Sequence, residues 1–183
     1  IELLSSQIER CNQILKKLSL NPNQEDDFIG EDLTIRDYIK EIISSFNETS
    51  KKDFIFNFDQ DFNSKKISKS IEIIYGLRNF IGNANKFSLN KIFITLKSNN
   101  ENTEISISDD GDGFPNDILS KLGEPYLKTF NKDKKIKSGF GLGIFIGKTL
   151  LEKNFAYVNC NNSKETRGAE IKIKWKNKDL LKI

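Results

Sequence analysis

Residues 111–143 are rich in Gly, Pro, Asp and Lys and carry only a short helical hint at 117–122. Connections inside a compact domain seldom exceed about 15 residues unless they are functional. The stretch therefore reads as a working loop set into the one main domain that a chain of 183 residues allows.

The pattern around that loop is that of a mixed sheet with helices. Ile35, Tyr38, Ile39, Ile42, Ile43 and Phe46 recur at helical spacing behind Thr34, with Asp37 in the first turn, which predicts a helix over 34–50. Phe54, Phe56 and Phe58 alternate with Ile55, Asn57 and Asp59 as a half-buried strand, and 59–66 supplies a turn. Ile71, Ile74, Leu77, Ile81 and Ala84 predict a long helix over 68–87 with one buried face. Ile92, Ile94 and Leu96, the Asn99-Asn100 turn, then Ile105 and Ile107 predict a hairpin. Beyond the loop, 144–153 is helical, and 157–160 and 169–175 read as closing strands.

The N-terminal segment is different in kind. Leu4, Ile8, Cys11, Leu15 and Leu18 follow a four-three spacing, the narrow seam of a helix that pairs with another. Asn21-Pro22-Asn23 and the polar residues after it end that helix. Three parts are expected: a seam helix over 1–20, a linker over 21–33, and the main domain over 34–183.

Several chemistries are excluded. The chain has no His, so His-based general bases, His-metal sites and Ser-His or Cys-His catalysis cannot be built from it. Cys11 and Cys160 fit neither a disulfide scaffold nor a zinc spacing, which favours a reducing compartment. With 29 basic and 26 acidic residues the net charge is only +3, and no nucleic-acid partner is expected. No apolar run approaches the roughly 20 residues of a membrane-spanning helix, and 1–10 lacks the layout of a signal peptide. A chain that opens on Ile and contains no Met reads as a fragment.

Three elements carry candidate chemistry. Asn79, Asn83 and Lys86 fall on one stripe of the long helix, where two poor helix formers in register suggest amide oxygens presented to a ligand or hard cation; a solvated face is the alternative. Asp109 continues the parity of Ile105 and Ile107, so its carboxylate points to the buried side, and Asp110-Gly111-Asp112-Gly113 follows; a plain Asp-Gly turn is the alternative. Gly139-Phe140-Gly141-Leu142-Gly143 opens a helix whose N–H groups suit phosphate oxygens. A dinucleotide fingerprint would need Gly at Ile144, and a P-loop ending at Gly147-Lys148-Thr149 would need Gly at Leu142, so both readings fail. Lys128, Lys132, Lys134, Lys135 and Lys137 make a basic patch that screens phosphate charge or simply solvates the loop.

In this order the elements resemble the boxes of the GHKL (Bergerat) ATP-binding superfamily of histidine kinases, gyrase, Hsp90 and MutL. Asn79-Phe80-Ile81-Gly82-Asn83-Ala84 is similar to the N box, Asp109-Asp110-Gly111-Asp112-Gly113 to the G1 box, Gly139-Phe140-Gly141-Leu142-Gly143 to the G2 box and Arg167-Gly168-Ala169 to the terminal glycine motif. Gly76-Leu77-Arg78-Asn79, Gly123-Glu124-Pro125-Tyr126 and Phe145-Ile146-Gly147-Lys148-Thr149-Leu150-Leu151-Glu152 resemble the RegB/PrrB/ActS group of redox-responsive sensor histidine kinases.

The resemblance implies an α+β fold, a two-layer α/β sandwich with a mixed sheet, preceded by the second helix of a dimerisation bundle. It implies that ATP and Mg2+ bind here: Asp109 accepts from the adenine amino group, Asn83 and Asn79 arrange the metal, and Lys86 approaches the phosphates. Asn79 and Lys86 are the implied catalytic positions. Gly111, Gly113, Gly139, Gly141, Leu142 and Gly143 wrap the nucleotide, and Tyr126 and Phe130 fall in the F-box region of the lid. The ATPase branches carry Glu where this chain has Asn79, and an amide cannot take a proton from water. Transfer to a histidine on the phosphoacceptor helix is the implied reaction. Implied partners are that helix, a response regulator and a second copy of the full-length protein. The implied location is cytoplasmic, with an inner-membrane anchor only upstream. Cys11 resembles the family's redox switch, and a buried seam residue is the alternative. A GHKL ATPase, an anti-sigma-type serine kinase and a nucleotide-switched docking module are the other readings of this fold.

Overall fold

Thr34 and Asp37 form a reciprocal helix start. The Asp37 N–H donates to Thr34 Oγ1 at 3.2 Å, while the Thr34 N–H and hydroxyl donate to Asp37 Oδ2 at 3.1 and 2.5 Å. The Thr34 hydroxyl outweighs burial and holds the Asp37 carboxyl below its usual value. From this cap runs helix α1 (Ile35–Asn47), behind the two-residue strand β1 (Leu33–Thr34).

The computed structural model describes residues 33–47, 49–58, 66–67, 70–124 and 142–180, all within the unit Asp32–Ile183. The seam helix with Cys11, the linker up to residue 32, the lysine patch, Tyr126, Phe130, Gly139 and Gly141 lie outside the described residues, while residue 33, expected in the linker, belongs to β1.

A five-stranded sheet runs in the order β2-β4-β5-β7-β6, made of β2 (Asp53–Phe58), β4 (Lys91–Ser98), β5 (Asn102–Asp109), β6 (Tyr157–Asn162) and β7 (Ala169–Lys176). It is mixed, because β2 and β4 are parallel while the other pairs are antiparallel. Parallel neighbours need a crossover, and the long helix α2 (Ile71–Phe87) lies within it. The turn expected over 59–66 ends earlier, since Lys66 and Ile67 form strand β3 and pair with β1. The β4–β5 hairpin closes at Asn99, whose Oδ1 accepts from the Glu101 and Asn102 N–H groups at 2.9 and 2.8 Å.

One face of the sheet is apolar by parity. Ile92, Ile94 and Leu96, Ile105 and Ile107, and Ile171, Ile173 and Trp175 are buried and form a single cluster with Tyr38 and Ile39 of α1 and Leu77, Phe80 and Ile81 of α2. Helix α3 (Leu142–Lys153) packs on α2 through two glycines. A Cβ on Gly76 would lie 2.6 Å from Leu151 Cγ, and one on Gly147 would lie 2.8 Å from Phe80 Cε1, so neither position has room for a side chain. A short helix α4 (Asn177–Leu180), not legible in the sequence, ends the domain. It is held there by Asn177, which accepts from the Thr103 hydroxyl at 2.8 Å and donates to the Asn99 carbonyl at 2.7 Å. The fold is the expected α+β sandwich with a mixed sheet. Among the described residues no helix is long and apolar enough to cross a membrane.

Candidate functional site

Asp109 ends β5 on the buried face and is only 3% exposed. Its Oδ1 accepts from the Gly111 N–H at 2.8 Å and the Ala169 N–H at 3.3 Å. Among the described residues both of these donors meet Oδ1 and none meets Oδ2. Two glycines hug this carboxylate: a Cβ on Gly168 would overlap the Asp109 carbonyl oxygen and Oδ1, and one on Gly111 would overlap the Phe87 carbonyl oxygen. Burial is the main influence and pushes the Asp109 carboxyl up; the two N–H groups pull it down and the Asp110 charge adds to the rise. A buried acceptor in a cradle with no room for side chains suits a flat ligand bearing an amino group.

The stripe on α2 is half-buried rather than a solvated face. Asn79 Nδ2 donates to the Tyr75 carbonyl at 2.8 Å, one turn back, which turns its amide oxygen away from the helix backbone. Asn83 lies against the start of α3, where a Cβ on Gly143 would come within 3.0 Å of Asn83 Nδ2 and 3.1 Å of its Oδ1. Lys86 sits in the last turn of α2 with Nζ 5.1 Å from the centre of the half-exposed Phe87 ring. Leu142 and Gly143 form the first residues of α3 itself, so the helix starts two residues ahead of the expected 144. The structure thus brings Asn83 and Gly143 together, and Asp109, Gly111 and Gly168 together.

Three residues hold the site in shape, and two of them, Lys52 and Asn162, carry no signal in the sequence pattern. Asp110 Oδ1 accepts from the Leu89, Asn90 and Lys91 N–H groups at 2.8, 2.9 and 3.0 Å, tying the turn after α2 to the end of β5. Lys52 secures the same turn by donating from Nζ to the Ser88 and Leu89 carbonyls. Asn162 pairs with the backbone of Phe114 beyond the loop, and Gly113, with φ +72°, lies against it. The Asp-Gly-rich run was a turn signal for Asp110; nothing local marked Asn162.

Over residues 69–179 the sequence matches the family described as histidine kinase-, DNA gyrase B- and HSP90-like ATPase. The chain belongs to that family. A histidine kinase-, gyrase B- and HSP90-like ATPase domain binds ATP.

Relatives point the same way. The sensor histidine kinase RegB of Cereibacter sphaeroides is 29% identical over 170 residues, which cover 88% of this chain and 36% of RegB. The sensor histidine kinase CssS of Bacillus subtilis is 35% identical over 88 residues, 48% of this chain and 18% of CssS. The chain thus spans about a third or less of the length of these relatives. Among solved structures, the mycobacterial sensor histidine kinase MprB superposes with a TM-score of 0.66 at 17% identity, over 79% of this chain and 96% of that one. The catalytic domain of histidine kinase ThkA gives 0.64 at 20% identity, over 79% and 94%. At such identities the likeness establishes the fold.

Proposed function

We propose that the chain is the ATP-binding catalytic part of a two-component sensor histidine kinase, which moves the γ-phosphate of Mg-ATP to a histidine on a dimerisation helix, for onward transfer to a response regulator. The observation that supports this over hydrolysis is the amide at Asn79, half-buried on the same helix face as Asn83. An amide does not serve as a general base, so water at this site stays a poor nucleophile. With no His among its 183 residues, the chain receives its imidazole nucleophile from elsewhere.

In this reading Asp109 fixes the adenine, the α3 N-terminus with Gly143 faces the phosphates, and Lys86 supplies a positive charge beside them. Asn83 and Asn79 would hold magnesium through amide oxygens, hard ligands of the kind that ion takes, and the ion when bound neutralises phosphate charge. Most of the catalysis is then positioning for in-line attack. The working unit is a homodimer on the cytoplasmic side of a membrane. Redox control through Cys11 belongs to the same reading: a seam cysteine meets its twin across a two-fold axis, so Cys11→Ser should remove an oxidant-dependent crosslink on a non-reducing gel.

Calorimetry of Mg-ATP binding to the wild-type chain, Asp109→Asn and Asn83→Ala is the first test, followed by phosphoryl transfer to an added histidine-bearing helix. Binding by the wild type with both variants severely weakened supports the reading. A folded wild type that binds no ATP overturns it.

A further inference from the structure

The loop 111–113 leaves Asp109, the group that the proposed function seats against the adenine. Its entrance is held by Asp109 itself through the Gly111 N–H. Its exit is held by Asn162, the last residue of β6. The Asn162 carboxamide accepts from the Phe114 N–H at 2.6 Å and donates to the Phe114 carbonyl at 2.8 Å, a two-point pairing that fixes the peptide in distance and tilt. Phe114 also packs against the core cluster. Across the ladder Asn162 is opposite Ala169, whose N–H donates to Asp109 Oδ1. A Cβ at Gly113 would lie 2.7 Å from Asn162 Oδ1, so the loop rests on this side chain. One residue therefore connects the far end of the loop to the strand that orients the acceptor.

We propose that Asn162 is a positioning residue of the nucleotide site: by pairing with the Phe114 backbone it sets the height of the loop 111–113 over a base seated on Asp109. This rests on the ATP-binding reading above. Asn162 touches no reacting atom; it acts through Gly113 and Phe114.

The test is calorimetric binding of ATP, ADP and adenosine to the whole chain, wild type and Asn162→Ala, with thermal unfolding alongside. Losing two partly buried hydrogen bonds should weaken all three ligands by the same factor, about tenfold, because they share the base, while the domain stays folded at the assay temperature. In an Asp109→Asn background the same change should cost ATP less than about threefold, since the base is no longer held against the loop. Asn162→Asp conserves volume and keeps the inference testable should the alanine variant unfold. It sets a carboxylate oxygen against the Phe114 carbonyl, and it too should lose about tenfold. Unchanged affinity in a folded variant, a loss confined to ATP, or an undiminished loss in the Asp109→Asn background overturns the role of Asn162 and leaves the ATP reading standing. A folded wild type that binds none of the three ligands overturns the ATP reading and this inference with it.

Discussion

Asp109 and Asp110 stand side by side at the end of β5, and the fold uses them in opposite ways. Asp109 faces the core with two N–H donors on one oxygen, and its burial raises its pKa. Asp110 faces the turn after α2. Burial alone pushes its carboxyl up, yet the Lys91, Asn90 and Leu89 N–H groups together outweigh that and hold it below the usual value. One carboxylate is kept at a cost to the folded state and the other stabilises it. On the ATP-binding reading proposed above, the difference separates a group retained for a ligand from a group retained for the chain.

The largest effect that would break this contrast is on ATP affinity. Asp109→Asn should weaken ATP binding about a hundredfold, the range of a hydrogen bond to a charged group, while stability at pH 7 holds or rises because a buried charge is removed. Calorimetry with urea unfolding checks both halves, and a variant that loses stability with its affinity would place Asp109 in the structural class. Acidification should separate the pair next. Asp109 is raised, so its neutral form favours folding below about 3.8 and that contribution disappears as pH climbs through the raised value; Asp110 is lowered, so its contribution is present above about 3.8 and disappears as pH falls through the depressed value. Wild-type ATP affinity should therefore decline on acidification before unfolding begins, and the Asp109→Asn variant should lack that decline.

Asp110→Ala should do the reverse of Asp109→Asn, costing about 1 kcal/mol of stability, the order of a lost helix cap, with a smaller loss of ATP affinity. Chemical denaturation beside calorimetry reads it, and an affinity loss matching that of Asp109→Asn would erase the contrast. The smallest effect is expected at Gly143→Ala. The added methyl meets the movable Asn83 carboxamide at 3.0 Å rather than backbone, so ATP affinity should fall only about threefold.

Much of the fold was legible because it rests on periodicity. The period of two gave β2, the β4–β5 hairpin, β6 and β7, and placed Asp109 on the buried face; the helical period gave α1, α2 and α3. The helix start at Thr34 was readable because its two halves lie three residues apart. The order of the boxes gave the family, since each short motif is weak alone and the ordered set is specific.

What periodicity does not carry is the partner of a side chain across the fold. The parallel pairing of β2 with β4, the contacts at Gly76 and Gly147, the three N–H groups on Asp110 and the Asn162–Phe114 pairing all join segments that meet only once the sheet and helices have assembled. Asn162 looks like any Asn in an Asn-rich strand, because its meaning lies in a backbone 48 residues earlier. The sequence by itself determined the main helices and strands and which side of them is apolar, since those properties are written in neighbouring side chains. Only the tertiary structure decided which polar groups hold the loop and the turn after α2, because a hydrogen bond is specified by distance and direction in space.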